Sequence, residues 1–392
     1  MEKSMKTKIC YIVTLPITIR SFFIPQLKYL SENGFDVSVV CSKDKSIQKE
    51  LGSRIHYHPI EMPRGISVFG SFKAIRQLIH YFRKEQFDII QYSTPNAAMY
   101  ASIAGRIAKV KVRNYHLMGF RYLGTKGLLK SLLKKIEIIS CKNSTYIECV
   151  SKSNLEIGVK EKIFERKKAA VVWNGSSGGV DLERFDYSRR FEYRKEIRKK
   201  YGLSEKDFVF GFVGRITRDK GVNELLHAFS KIKNAKLLMV GEAEGASTLK
   251  QQLYTSSLTN PNIVYTGQVF DVEKYYAAID VLVLPSYREG FGNVIIEAAA
   301  MGTPAIVSNI PGPIDAVKVG ETAQVVEPRS TESLLKAMKQ FQTMDYLAMG
   351  QQAERFAREK FDSTMLCRKI LERKENINVK RRTLYKKKGS TL

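Results

Sequence analysis

Two carboxylates, Glu289 and Glu297, bracket the run Gly290-Phe291-Gly292-Asn293. Paired carboxylates can act as acid and base in group transfer, or hold the hydroxyls of a sugar. The two glycines let backbone N–H groups near Phe291 and Asn293 come close to an anionic or hydroxylated ligand. Upstream, the stretch FVGRITRDKG places Arg215 and Lys220 behind Gly214. Two cations beside a helix start suit a diphosphate, because arginine offers a fork of donors and lysine a point charge. The plain alternatives are a solvated basic loop and a helix with acids at its positive end, the latter contributing only about 0.3–1 kcal/mol.

The elements that position these residues are legible. An apolar run, VLVLP, delivers residues 286–289 to the carboxyl end of a strand, where open α/β sheets bind ligands. Asn293 is expected as an N-cap, with Glu297 one turn into the helix and Gly302 closing it. A strand ending at Val213 leads through Gly214 into the basic loop. Around it run FVFGFVG, GVNELLHAFSKI, KLLMVGE, IVYTG, VEKYYAAI and PAIVS, short β-branched segments alternating with helix-length ones. The first half shows the same alternation: a strand over residues 8–14, a helix closed by Asn33-Gly34, then DVSVVC, DIIQYS, AAMYASIAGRIAKV and VRNYH. This is the mark of parallel βαβ units. The expected fold is α/β, two Rossmann-like doubly wound parallel-sheet domains facing a cleft, joined near residue 186.

Composition agrees. A chain of 392 residues with 44% hydrophobic content suits two globular domains. No run of eighteen uncharged apolar residues occurs, and the N-terminal apolar stretch is broken by Pro16 and Arg20, so a first strand and a cytoplasmic protein are expected. The five cysteines are dispersed without a C-x-x-C pair, as reduced buried thiols would be. His56 and His58 have no third ligand nearby and read as strand or loop histidines. The 65 Lys+Arg against 39 Asp+Glu give a net charge of +26, which favours acidic partners. Nucleic acid is one such partner, but no RRM, KH, zinc-finger or aromatic-rich basic motif is present.

The segments GRITRDKG, YTGQV, LPSYREGFGNVIIEAAAMGTPAI and IPGPIDAV resemble the retaining, GT-B-fold glycosyltransferases of family 4. The similarity is greatest to bacterial members that build capsular and exopolysaccharide repeat units. It extends through STPNAAMYASIAGRIA, CVSKSN and NGSSGGVDLERF, covering about residues 7–365. The resemblance implies that Arg215 and Lys220 hold the diphosphate of a nucleotide sugar, expected to be a UDP-sugar, and stabilise the leaving group. It implies that Glu289 binds hydroxyls of the transferred sugar, an N-acetylhexosamine or a related sugar. The backbone of Gly290, Phe291, Gly292 and Asn293 would hold sugar and phosphate oxygens, Glu297 the ribose, and Gly267 to Val269 the base. No Asp-x-Asp tripeptide occurs, so no metal and no other cofactor is expected. Retention in this family is attributed to a front-face reaction, so the two glutamates are not a glycosidase pair. The resemblance divides the chain into an acceptor domain at residues 1–185, a linker at 186–204, a nucleotide-sugar domain at 205–371 whose last helix is free to cross back, and a basic tail at 372–392 ending in disorder. Other GT-B enzymes, such as an epimerase or a synthase with a soluble acceptor, stand as the alternative.

Two departures matter. Where many members carry a histidine directly before a glycine, Met118 precedes Gly119 and His116 lies two residues earlier. His116 either reaches the cleft as a catalytic group or is an ordinary strand-end histidine. The first loop lacks paired glycines, which leaves Arg20, Ser21 and Arg121 as acceptor-binding candidates.

Excess charge collects in two places. Residues 121–142 hold Arg121, Lys126, Lys130, Lys134, Lys135 and Lys142 against Glu137, with Leu128, Leu129, Leu132, Leu133 and Ile136 at helical spacing. That is either a basic amphipathic helix on an anionic membrane or a surface helix packing its leucines inward. Residues 372–392 add eight basic side chains against two acidic. The expected partners are a nucleotide sugar, a lipid-linked saccharide and the inner face of the plasma membrane.

Overall fold

The structure, a computed structural model, describes residues 6–63, 65, 67–243 and 245–389, with side chains as far as residue 379. It contains two sheets, each parallel throughout. The first has seven strands: β1 (Thr7–Ile12), β2 (Phe35–Cys41), β3 (Ile55–Pro59), β4 (Ile89–Tyr92), β5 (Val112–Leu117), β6 (Tyr146–Cys149) and β7 (Ala169–Val171), in the order β3-β2-β1-β4-β5-β6-β7. The second has six: β8 (Phe208–Val213), β9 (Ala235–Val240), β10 (Ile263–Gly267), β11 (Val281–Leu284), β12 (Ala305–Ser308) and β13 (Ala323–Val326), in the order β10-β9-β8-β11-β12-β13. Central strands such as β1, β2 and β11 are buried along most of their length, as strands covered on both faces must be.

The chain order reverses beside β1 in the first sheet and beside β8 in the second. Each reversal opens a crevice at the carboxyl ends of two neighbouring strands, β1 with β4 and β8 with β11. Helices cover the first sheet on both faces. Val68–Glu85, Pro95–Ile107 and Gly127–Asn143 form one layer, through Leu78, Ala101 and Cys141, while Ile19, Leu27 and Leu30 line the other face.

The division of the chain differs from the sequence expectation. One unit is Met1–Gly178 with Ser363–Leu392; the other is Gly179–Asp362. Residues 186–204 are not a linker. They carry the helix Arg190–Lys200, whose Arg198 is fully buried and donates to the carbonyls of Ala278, Ser204 and Asp207 and to Asp280 Oδ2 at 2.9 Å. Charge density misled here, since a lysine- and arginine-rich stretch hid a buried anchor. The helix Ser363–Gly389 packs Leu366, Cys367, Ile370 and Ile377 into the first unit, and it runs on through residues 383–389, where the sequence reading expects disorder. Residues 390–392 and the side chains of residues 380–389 lie outside the described residues. All five cysteines are buried and none forms a disulfide.

Candidate active site

The second sheet gathers the residues singled out by sequence. The loop after β8 turns into a short 3-10 segment, Arg218–Lys220, and then into the helix Val222–Phe229. Gly221 at the joint has φ 73°, and a Cβ there would stand 2.0 Å from the Pro285 carbonyl oxygen. Only glycine lets this loop close against the one after β11. The Tyr287 N–H seals the contact by donating to the Asp219 carbonyl at 2.8 Å. Strand ends β9 and β10 are tied in by Gly214 N–H to Val240 O (2.9 Å) and Gly241 N–H to Gly267 O (3.0 Å). Gly267 is therefore exposed on the same edge as Gly214, with half-buried Val269 close behind it.

Glu289 sits at the centre of this edge. Its Oε1 accepts from Lys220 Nζ at 2.6 Å and from Ser286 Oγ at 2.8 Å. Among the described residues no hydrogen bond is made to Oε2, and the Glu289 side chain is 13% exposed. Sequence reasoning assigned Lys220 and Glu289 to different parts of a donor; the structure places them in one ion pair. Arg215 is exposed and, among the described residues, makes no ion pair. The Asp219 carboxyl lies below its ordinary pKa. Burial pushes it up, but the Thr217 hydroxyl at 2.5 Å and the charges of Arg215, Lys220 and Arg288 outweigh this.

Glu297 lies one turn into the helix Asn293–Ala300. Burial raises its pKa, and the Tyr276 hydroxyl, donating to Oε2 at 2.8 Å, works against the rise. Tyr276 lies 21 positions earlier on the helix Val272–Ala278, a partnership with no sequence signal. The expected N-cap is corrected: Gly292, with φ 94°, holds that position and Asn293 is the first helical residue. A left-handed cap residue favours glycine over asparagine. Phe291 turns inward, its ring 5.4 Å from that of Phe361, so only its backbone is offered to a ligand. Gly302, with φ 68°, follows the helix end as expected.

The catalytic candidate His116 and the acceptor candidates Arg20, Ser21 and Arg121 fall in the first unit. His116 is the penultimate residue of β5, is 8% exposed, and has Nε2 3.2 Å from Ser177 Oγ. Burial lowers its pKa to about 4; the nearby Glu148 charge opposes this and the Lys374 charge adds to it, so the imidazole is neutral near pH 7. Arg20 is corrected to a structural role. Its guanidinium bonds Glu50 (2.7 Å) and Asp44 (2.9 Å), which spend its donors within the unit. Ser21 and Arg121 are exposed. A residue missed from sequence is Thr94, after β4, where φ is 68° and ψ 141°. This backbone is strained for a β-branched residue, and the Thr94 hydroxyl lies 2.9 Å from that of Thr14, at the β1–β4 crevice. A groove of about 830 Å³ in the first unit lies elsewhere, over the β3 edge between His58 and Lys73.

The basic helix is Gly127–Asn143. Its leucines divide: Leu128, Leu129 and Leu132 are exposed, while Leu133 packs on the core and Ile136 is half-buried. Lys134 is engaged by Glu161 at 2.7 Å. In the C-terminal segment, Lys374 is wholly buried and pairs with Glu148 at 2.7 Å, so it belongs to the core and not to a surface patch. Among the described residues no helix is long and apolar enough to cross a membrane.

Two doubly wound parallel sheets in tandem, the second with cations and carboxylates at its reversal point, define a GT-B glycosyltransferase. The family of glycosyl transferases group 1 matches residues 193–360, and the glycosyl transferase 4-like family matches residues 8–151. The capsular polysaccharide biosynthesis glycosyltransferase CapM of Staphylococcus aureus is 31% identical over 369 residues, covering 93% of this chain and 95% of CapM. The UDP-Gal:alpha-D-GlcNAc-diphosphoundecaprenol alpha-1,3-galactosyltransferase of Escherichia coli is 28% identical over 343 residues, covering 85% and 87%. Among solved structures, HepE of Anabaena in complex with UDP superposes with a TM-score of 0.76 over 95% of this chain and all of that one, at 17% identity, which speaks to the fold alone. The chain belongs to the family 4 glycosyltransferases and is an enzyme of EC class 2.4.

Proposed function

We propose that the chain moves a sugar, an N-acetylhexosamine or a close relative, from a UDP-sugar to a polyprenyl-diphosphate-linked saccharide, with retention and without a metal, in the synthesis of a capsular or other cell-surface glycan. The observation that carries this reading is the Lys220–Glu289–Ser286 arrangement beside exposed Arg215, at the reversal point of the second sheet. A diphosphate arriving there meets Arg215 and Lys220, and Glu289 Oε2 remains for a sugar hydroxyl. Glu297, anchored by Tyr276, takes the ribose, and the edge from Gly267 to Val269 takes the base. The Escherichia coli relative, whose name gives a diphosphoundecaprenol acceptor and UDP-galactose, supports the choice of donor and acceptor class.

The chemistry follows from charge. The bond from C1 to the β-phosphate oxygen breaks, and a bond from the acceptor oxygen to C1 forms on the same face. The acceptor proton passes to the departing phosphate. Negative charge grows on the leaving diphosphate, so fixed cations beside it lower the barrier. Arg215 and Lys220 supply that charge, and docking at the inner face of the plasma membrane through the exposed tip of Gly127–Asn143 brings the enzyme to its acceptor.

The test is a screen of radiolabelled UDP- and GDP-sugars against short-chain prenyl-diphospho-N-acetylglucosamine, with and without EDTA. The expected result is transfer from a UDP-sugar, unchanged by chelation, with the anomeric configuration of the donor kept in the NMR spectrum of the product. Transfer only from GDP-sugars, loss of activity on chelation, or an inverted product each contradicts the corresponding part of the proposal.

A further inference from the structure

The first turns of the helix Val68–Glu85 hold three large apolar side chains in solvent: Val68 is 78% exposed, Phe69 91% and Phe72 69%. With 3.6 residues per turn, Ala74, Leu78 and Phe82 share the side that packs into the first unit's core. Phe69 and Phe72 fall on the opposite side, with exposed Lys73 and Arg76 among them, and Val68 lies at the flank of the helix start. The core has no use for these rings, and a contiguous apolar patch of this kind marks an interaction surface.

A second tip has the same make-up. On Gly127–Asn143, Leu128 is 90% exposed, Leu129 50% and Leu132 40%, interleaved with exposed Lys126, Lys130 and Lys135. Neither helix has an acidic residue in its first turn. Topology then puts the tips together. Each helix crosses between parallel strands, so each runs against the strands and begins at the sheet's carboxyl edge. Both pack against Pro95–Ile107, and all three share one core cluster, hence one face of the sheet. Two interaxial spacings separate the tips by roughly 16–20 Å.

We propose that these two tips form a single docking edge for an anionic bilayer. Phe69 and Phe72 enter the headgroup–acyl boundary, and Lys73, Arg76, Lys126 and Lys130 lie among the lipid phosphates. The inference rests on the membrane-linked acceptor proposed above and adds to it a second helix, and with it an orientation. One tip leaves the unit free to swivel; two tips hold the carboxyl edge, with Thr94 and His116, toward the surface from which a polyprenyl chain presents its diphosphate. A second copy of a chain with net charge +26 would set like charge against like, whereas an anionic leaflet complements both the charge and the rings.

The experiment is co-sedimentation of the full chain with vesicles of 30% phosphatidylglycerol in phosphatidylcholine, and with pure phosphatidylcholine. Wild type, Phe69→Ser/Phe72→Ser and Leu128→Ser/Leu132→Ser are compared, and each is assayed for transfer to a water-soluble short-chain acceptor without vesicles. The expected result is binding to the anionic vesicles alone, weakened at least tenfold by either pair of changes, with transfer in solution unaltered. If only the leucine pair weakens binding, the membrane reading stands and the role given to Phe69 and Phe72 falls. If wild type ignores anionic vesicles, both fall, while transfer in solution still reports separately on the enzyme. If the phenylalanine pair alters oligomeric state by light scattering and not vesicle binding, the face belongs to a second copy and the inference is overturned.

Discussion

Glu289 Oε1 takes two donors, Lys220 and Ser286, and that sharing has chemical consequences. Under the proposed function, the lysine exchanges this carboxylate for a phosphate of the donor, and the serine keeps the carboxylate in place during the exchange. Ser286→Ala is expected to lower kcat/KM about tenfold, in line with the loss of a hydrogen bond to a charged group. A variant with unchanged kinetics would show that the serine positions nothing. Glu137 offers a test of a different kind. It is 2% exposed, and burial raises its pKa to about 7, against a weaker lowering by Tyr115. The fold prefers the protonated carboxyl, so the stabilisation is complete below the ordinary value of 4.5 and is lost as pH rises through about 7. Glu137→Gln is therefore expected to stabilise the protein at pH 8 by roughly 2–3 kcal/mol and to change little at pH 4.5, as measured by urea unfolding. Equal shifts at both pH values would contradict the assignment.

Among the elements, the C-terminal helix carries a sharp prediction. Lys374 enters the first unit and pairs with Glu148, whose own pKa is pushed up by burial but held down to about 2 by the lysine. Lys374→Met is expected to cost about 3–5 kcal/mol, because it leaves a buried carboxylate whose remaining ion-pair partner among the described residues is Arg373, at 3.5 Å. Adding Glu148→Met should recover most of that loss; no recovery would mean that packing and not charge is at stake. This helix also shows where sequence stops being informative. The strands β1, β8 and β11 were legible because burial on both faces writes a continuous apolar run, and the loop bearing Lys220 because cations next to glycine are rarely idle. Arg198, Lys374 and Arg20 were not, since a buried or paired cation has the same letter as a solvated one. Only the fold reveals that Asp280, Glu148 and Glu50 wait for them. Thr94 escaped for a related reason, because a backbone forced to φ 68° is a product of its neighbours and not of its own residue type.

Taken whole, the molecule returns a chain segment from its far end to its beginning, so the first unit is incomplete without residues after Asp362. Truncation there would uncover Leu366, Cys367, Ile370 and Ile377 contacts, and the first unit is expected to become rapidly cleaved in limited proteolysis. Survival of an intact first unit would contradict that view. The charge of +26 belongs to this scale too, since it favours approach to anionic substrates and surfaces without selecting among them. In the proposed function, selection falls to the arc from Gly267 through Arg215 and Lys220 to Glu289 and Glu297. The most direct test of the account is steady-state transfer by Lys220→Ala and Glu289→Ala variants with the UDP-sugar the wild type uses. A fall in kcat/KM of at least about 100-fold for each, with unfolding midpoints close to wild type, is expected from fixed charges acting on a departing diphosphate and a held sugar. Variants that transfer as well as wild type would contradict it.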